Sequence, residues 1–240
     1  MTPRLAGPSA APVPPLPRAF WICAAVSLVA MAVNILGEAT GAEWMHTARW
    51  FYTPPLVVGL VLAGGLSSWR GWLWAAGLLL SAVGDTQGGH GFLILLGSFL
   101  VAHLAYIAAL WPDRRASWLG RPGALIHLAL LVVGLAVVVP AAGAALTVPV
   151  IVYGVVLALM AVLATSGGRV GLVGGLAFIV SDMTLAIAMF AAEVPEPVRT
   201  LIVIGTYVPA QILLTVAMLR LIRRPEAPLT GRTPLCQAHQ

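Results

Sequence analysis

Two aspartates lie where a membrane would make them costly. Asp85 closes the segment Ser81-Ala-Val-Gly84-Asp85, and Asp182 stands in Ser181-Asp182-Met-Thr-Leu185-Ala186, each inside or at the lip of an apolar run long enough to cross a bilayer. A carboxylate carried into hydrocarbon costs about 2.5–3.5 kcal/mol on insertion scales, so a chain that keeps one there is expected to use it. Two chemistries call for such groups: acid/base work at a reacting centre, and the binding of a proton or cation along a transport route. Either makes the pair part of an intramembrane active or binding site.

Further polar groups converge on the same region. His103 and Tyr106 share a helix face at a spacing of three, Tyr207 and Gln211 share another at a spacing of four, and Ser81 falls one turn before Asp85. Ser181 adjoins Asp182. At about 1.5 Å of rise per residue these groups reach a similar depth, in the outer half of the membrane or near its middle. The expectation is a water-accessible pocket opening to the outer leaflet. Asp85, Asp182 and His103 are its catalytic candidates, and Ser81, Tyr106, Ser181, Tyr207 and Gln211 its substrate-binding candidates. Taken singly, His103, Tyr106, Ser81 and Gln211 are more simply explained as hydrogen-bond partners between helices, and Asp85 is as readily a solvated rim residue as a site residue. Asp182 has few purely structural excuses.

The elements that must carry these groups are helices. The chain is 60% hydrophobic and 9% charged, with a mean hydropathy of +0.97. That composition excludes a soluble domain, and the long continuous apolar runs exclude an alternating membrane β-barrel. Eight windows are expected as the spans of one all-α polytopic bundle: 20–36, 51–66, 72–85, 92–111, 124–139, 144–164, 170–191 and 198–222. There is no lysine, and with the N-terminus in the cytoplasm every arginine except Arg49 and Arg199 falls inside, while Glu38, Glu43, Glu193 and Glu196 fall outside. The positive-inside rule then puts both termini in the cytoplasm. The net charge of +5 marks topology and contact with anionic headgroups rather than a nucleic-acid partner.

Residues 1–19, rich in Ala and Pro, and residues 223–240 are expected to be disordered cytoplasmic tails around a membrane domain over 20–222. The first apolar run lacks a cleavage context and is long enough to remain a span. Cys23 and Cys236 share no compartment, so no disulfide is expected, and no Cys/His cluster calls for a metal or a cofactor. Gly167-Gly168 and Gly174-Gly175 read as helix packing. Trp44, Trp50, Trp69, Trp72, Trp74, Trp111 and Trp118 read as an interfacial aromatic belt, and His46, His90 and His127 have no ligand-like spacing.

Three motifs carry a resemblance to a known family. Leu80-Ser81-Ala-Val-Gly84-Asp85 followed by Phe99-Leu-Val-Ala-His103-Leu-Ala-Tyr106-Ile107 resembles the S-x-x-G-D…F-L-x-x-H-x-x-Y-I signature of the YhhN family of multi-pass membrane proteins. Phe178-Ile-Val-Ser181-Asp182-Met-Thr-Leu185-Ala186 is similar to its F-x-x-S-D-x-x-L-A, and Thr206-Tyr207-Val-Pro-Ala210-Gln211 to its T-Y-x-x-A-Q. The motifs occur in the family's order and cover the chain from about Phe20 to Ile222. The family's characterised members are lysoplasmalogenases. The resemblance therefore implies hydrolysis of a lysoplasmalogen vinyl ether to a fatty aldehyde and glycerophosphoethanolamine or glycerophosphocholine, with a lysophospholipid and the lipid bilayer as partners. Where many members carry Lys-Pro at the start of the second span, this chain reads Tyr52-Thr53-Pro54-Pro55.

Vinyl ethers hydrolyse by rate-limiting protonation at carbon, giving an oxocarbenium ion that water captures before the hemiacetal collapses. With that substrate Asp182 would be the general acid and Asp85, nearer water, the carboxylate that stabilises the cation and activates water, although the two roles are interchangeable at this level. His103 would orient a carboxyl or relay protons, while Tyr106, Tyr207 and Gln211 would hold the glycerophosphate oxygens or the water. The alternative is a proton- or cation-coupled transporter using the same acidic residues. The inner halves of the spans hold few polar groups, which favours a pocket closed on the cytoplasmic side. Abundant Ala, Gly and Arg without lysine fit a GC-rich bacterial genome and hence a bacterial plasma membrane.

Overall fold

The computed structural model describes residues 14–224. The expected tails over 1–13 and 225–240, and Cys236 with them, lie outside the described residues. Eight α-helices follow in chain order: α1 (Arg18–Thr40), α2 (Pro54–Leu62), α3 (Trp69–Gln87), α4 (Phe92–Leu110), α5 (Ala124–Ala142), α6 (Ala144–Ala164), α7 (Gly168–Phe190) and α8 (Glu196–Ile222). Short 3-10 helices connect several of them, and there is no strand among the described residues.

Five helical segments are long and apolar enough to cross a membrane: Arg18–Thr40, Phe92–Asp113, Ala124–Ala142, Ala144–Phe190 and Glu196–Ile222. The fourth is α6 and α7 joined through the 3-10 turn Thr165–Gly167. Gly168, at φ 72, turns the chain back, so α6 and α7 pack as an antiparallel hairpin. A β-carbon on Gly175 would sit 3.1 Å from Ala161 Cα, which is why the Gly174-Gly175 pair belongs at this interface.

The second expected span is much shorter as an α-helix. Pro54 and Pro55 occupy the first turn of α2, where their missing N–H groups cost nothing, and Gly64 at φ 71 stops the helix after nine residues. The apolar residue Phe51, expected within that span, belongs instead to a preceding 3-10 helix, Glu43–Phe51. This segment folds back against the end of α1, and a β-carbon on Gly37 would lie 2.5 Å from Met45 Cβ, so glycine at 37 permits the approach. The third helix is longer than expected. It gains a turn from Ser68, whose hydroxyl caps the helix by accepting from the Arg70 N–H at 3.3 Å.

The tightest partnerships are α7 with α8 and α3 with α4. On α3, Gly77 and Gly84 leave room for aromatic rings of α4: added β-carbons would come within 2.3 Å of Tyr106 Cε1 and 2.6 Å of Phe99 Cε2. Trp74, expected in the interfacial belt, is instead a core residue, 0% exposed. Its ring lies 4.3 Å from that of Tyr106, and its indole N–H donates to Thr215 Oγ1 at 3.1 Å, which satisfies the polar edge that normally keeps tryptophan at an interface. Trp44, Trp50, Trp69, Trp72 and Trp111 remain exposed. The long apolar face of α5 is also exposed, at 62% for Leu125 and Val133, as suits a helix bathed in lipid.

The two ends of the bundle differ. At one end, Arg70 pairs with Asp113 and donates to the Ala109 carbonyl at 2.7 Å, and the Trp118 N–H donates to Thr165 Oγ1 at 2.8 Å. Arg223, just past the end of α8, donates to the Ala63 carbonyl at 2.6 Å and the Pro15 carbonyl at 3.3 Å, which ties Pro15 and the start of the C-terminal segment to the bundle. The opposite end, where α1, α3 and α7 finish and α4 and α8 begin, encloses a cavity.

Candidate active site

Asp85 sits in the last turns of α3. One of its oxygens accepts the Tyr207 hydroxyl proton from α8 at 2.9 Å. Tyr207 and Gln211 occupy one face of α8 four residues apart, so the glutamine amide reaches the same region. Gln211 Nε2 donates to Ser81 Oγ at 3.1 Å and to the Tyr207 oxygen at 3.4 Å, while its Oε1 accepts from the Tyr106 hydroxyl at 3.1 Å. Ser81 Oγ lies 3.4 Å from that hydroxyl. Ser81, Tyr106, Tyr207 and Gln211 are all buried, and every polar atom of the amide has a partner. The network is therefore a rigid support running from the core to Asp85.

Asp182 lies in the C-terminal half of α7. Its carboxyl accepts from the Tyr153 hydroxyl of α6, and the neighbouring Ser181 hydroxyl donates to the Val203 carbonyl of α8 at 3.0 Å. Each aspartate is thus held by a tyrosine from an adjacent helix.

A cavity of about 340 Å³ joins the two carboxyls. Asp85, Asp182, Ser181 and Tyr207 line it, as expected from the sequence. Ser81, His103, Tyr106 and Gln211 do not: they form a layer beneath its floor. His103 is fully buried among the rings of Phe178, Tyr153 and Tyr106, with centroid separations of 4.8, 5.6 and 6.2 Å. Its Nδ1 meets the Phe99 carbonyl at 2.7 Å, and its Nε2 has no partner among the described residues. A carbonyl can only accept, so Nδ1 carries the proton and Nε2 is left as an acceptor. The placement suits a residue that fixes Phe99 and Tyr153 more than one that touches a substrate.

The cavity also has walls that residue spacing does not announce. Tyr153 comes from α6, Asn34 and Glu38 from the end of α1, His46 and Arg49 from the 3-10 helix, and Glu196 and Thr200 from the start of α8. Phe92, Leu95, Leu96, Phe99, Leu185 and Met189 supply an apolar wall. A phenol in the middle of α6, whose only other polar side chain is Thr147 in the first turn, is a signal that could have singled out Tyr153. Arg49 was visible as one of two arginines outside the arginine-rich side, but nothing in the sequence aims it at the cavity. A second, narrow apolar cavity of about 80 Å³ lies between α5, α6 and α7 and shares Val150, Tyr153, Asp182 and Ala186 with the first. Asp182 thus stands where the larger chamber, with its charged and polar groups, meets an apolar slot. Such a junction can hold an amphiphile with its polar end in the chamber and its chain in the slot.

The chain is similar to proteins named lysoplasmalogenase from Mycobacterium bovis (strain ATCC BAA-935 / AF2122/97) and Mycobacterium tuberculosis (strain CDC 1551 / Oshkosh). It is 32% identical to each over 203 residues, covering 75% of this chain and 77% of theirs. No solved structure matches it. The YhhN family matches residues 44–218, a stretch that contains both aspartates, their two tyrosines and the cation at the cavity wall, and the chain belongs to that family.

Proposed function

We propose that this protein is a multi-pass membrane hydrolase that cleaves the vinyl ether of a lysoplasmalogen, a 1-alkenyl-glycerophosphoethanolamine or -choline, to a fatty aldehyde and the glycerophospho-alcohol. The observation that carries this reading is the meeting of two half-buried carboxyls in one cavity that opens onto an apolar slot at Asp182. The relatives named lysoplasmalogenase support the substrate class. All eight helices then cross or re-enter a bacterial plasma membrane, both termini are cytoplasmic and the cavity faces outward. The segregation of the arginines supports that orientation.

In the reaction, the Asp182 carboxyl donates its proton to the alkenyl carbon remote from oxygen, and the carbon bonded to oxygen becomes an oxocarbenium centre. The Asp85 carboxylate faces that cation and takes a proton from water as the water oxygen bonds to it. The hemiacetal then breaks its bond to the glycerol oxygen, which leaves with the proton now held by Asp85, while the hemiacetal hydroxyl gives its proton to Asp182 and becomes the aldehyde carbonyl. One water is consumed and both carboxyls return to their starting states. Tyr207 and Tyr153 hold the two carboxyls, and Ser81, Tyr106 and Gln211 hold Tyr207 from below. His103 acts here by positioning rather than by proton transfer, since it does not line the cavity and its Nε2 has no partner among the described residues. The mirrored assignment, with Asp85 as acid, uses the same atoms.

The transporter alternative needs a route to the far end of the bundle, where Arg70–Asp113, Trp118–Thr165, Arg223–Ala63 and Arg224–Ser166 contacts tie the loops together. That closed end supports a pocket. The reading is tested by comparing a 1-alkenyl lysophospholipid with its saturated 1-alkyl counterpart, which has no carbon to protonate. Aldehyde from the alkenyl lipid alone is the expected outcome. Cleavage of both, or of neither, contradicts the reading.

A further inference from the structure

We infer that Arg49 is the anion anchor of this cavity and binds the phosphate of the substrate headgroup. This rests on the lysophospholipid reading above and gives that substrate its orientation. Among the described residues, Arg49 is the only arginine lining the cavity, and Asp85, Asp182, Glu38 and Glu196 line it too. A guanidinium so surrounded would be expected to pair with a carboxylate. It does not: Glu196 pairs with Arg199, Glu38 lies 3.8 Å from His46 Nδ1, and among the described residues no carboxylate lies within 4.0 Å of Arg49. The guanidinium is held in place all the same, because its Nε–H donates to the His46 carbonyl at 2.9 Å one turn earlier in the 3-10 helix. That bond fixes the plane of the fork and leaves the terminal amino groups for an acceptor that the described residues do not supply.

A planar fork with free terminal N–H groups matches two oxygens of a phosphate, and the charge makes those bonds roughly twice as strong as neutral ones. The position suits the reaction. Arg49 sits on the wall made by the 3-10 helix, at the polar end of the chamber, whereas the apolar slot leaves the chamber at Tyr153 and Asp182. A one-chain lipid with its phosphate on Arg49 and its chain in the slot therefore carries its ether linkage past the carboxyls. Gly37 contributes by admitting Met45, which brings the 3-10 helix and Arg49 over the cavity.

The test uses the full-length protein in detergent, with Arg49→Gln and Arg49→Lys variants. Two pairs of lipids are compared: 1-alkenyl-glycerophosphoethanolamine against 1-alkenylglycerol for turnover, and lysophosphatidylethanolamine against 1-monoacylglycerol for calorimetric binding. The expected result is that Arg49→Gln lowers the preference for the phosphorylated member of each pair by about 10- to 100-fold, with part of it restored in Arg49→Lys. Equal weakening toward both members, or none, overturns the inference. Inorganic phosphate that binds in an Arg49-dependent way as tightly as the lysolipid overturns the lipid source. Arg49-dependent lysolipid binding without turnover of any vinyl ether leaves the anchor standing and removes the reaction.

Discussion

Tyr207 reaches from α8 across to α3 and donates its phenolic proton to Asp85 at 2.9 Å, while its own oxygen accepts from Gln211 at 3.4 Å. The pattern repeats on the other side of the cavity, where Tyr153 of α6 donates to Asp182 of α7. Each carboxyl therefore keeps one oxygen engaged by a tyrosine and the other without a partner among the described residues, which fixes the direction in which it can give or take a proton.

Replacing Tyr207 by Phe removes the donor to Asp85 and leaves Gln211 without one acceptor. A hydrogen bond to a charged group contributes about 1.5–3 kcal/mol, so kcat/KM for the alkenyl lysolipid is expected to fall about 10- to 100-fold. Steady-state aldehyde assays check this. Tyr153→Phe is expected to cost a similar factor through Asp182.

The proposed proton route predicts an isotope label. Hydrolysis in heavy water is expected to give an aldehyde with one deuterium on the carbon next to the carbonyl, and a rate lower than in ordinary water, because proton transfer to carbon is rate-limiting. Mass spectrometry of the aldehyde, trapped before it exchanges, reads the label.

The support beneath the cavity depends on Gly77. An alanine there would place a β-carbon 2.3 Å from Tyr106 Cε1, so Gly77→Ala is expected to push the ring away from Gln211 and to destabilise the fold by about 1–3 kcal/mol. Thermal unfolding in detergent measures this. Activity should fall with Tyr106 displaced, even at temperatures where the variant remains folded.

The apolar slot makes a prediction about chain length. Gly154 lines it, with Leu131 Cδ1 3.0 Å from where a β-carbon would lie, so Gly154→Leu fills space between α5 and α6. The variant is expected to raise KM for long-chain alkenyl lysolipids more than for short-chain ones, measured as KM across a chain-length series.

Much of this arrangement was legible in the sequence, for identifiable reasons. Apolar runs bounded by Gly and Pro mark the helices because each is long and local, and α6 begins and ends at the expected residues, 144 and 164. Spacings of three and four put Tyr106 beside His103 and Gln211 beside Tyr207 because a helix face is a local property. Pro54 and Gly64 were visible but read as part of a longer span, since hydropathy ignores where backbone geometry starts and stops a helix. Trp74 was misplaced because its partner, Thr215, is 141 residues away. The cavity wall of Glu38, His46 and Arg49 was not legible either: it depends on how closely the 3-10 helix folds onto α1 at Gly37, which no periodicity encodes.

The most direct test of the two-carboxyl account is aldehyde release from lysoplasmenyl-ethanolamine by the purified protein and by Asp85→Asn and Asp182→Asn variants that elute as folded, monodisperse species. Turnover by the wild-type chain is expected, with a loss of about 100-fold or more in each variant. Turnover retained at the wild-type rate in either variant would contradict it.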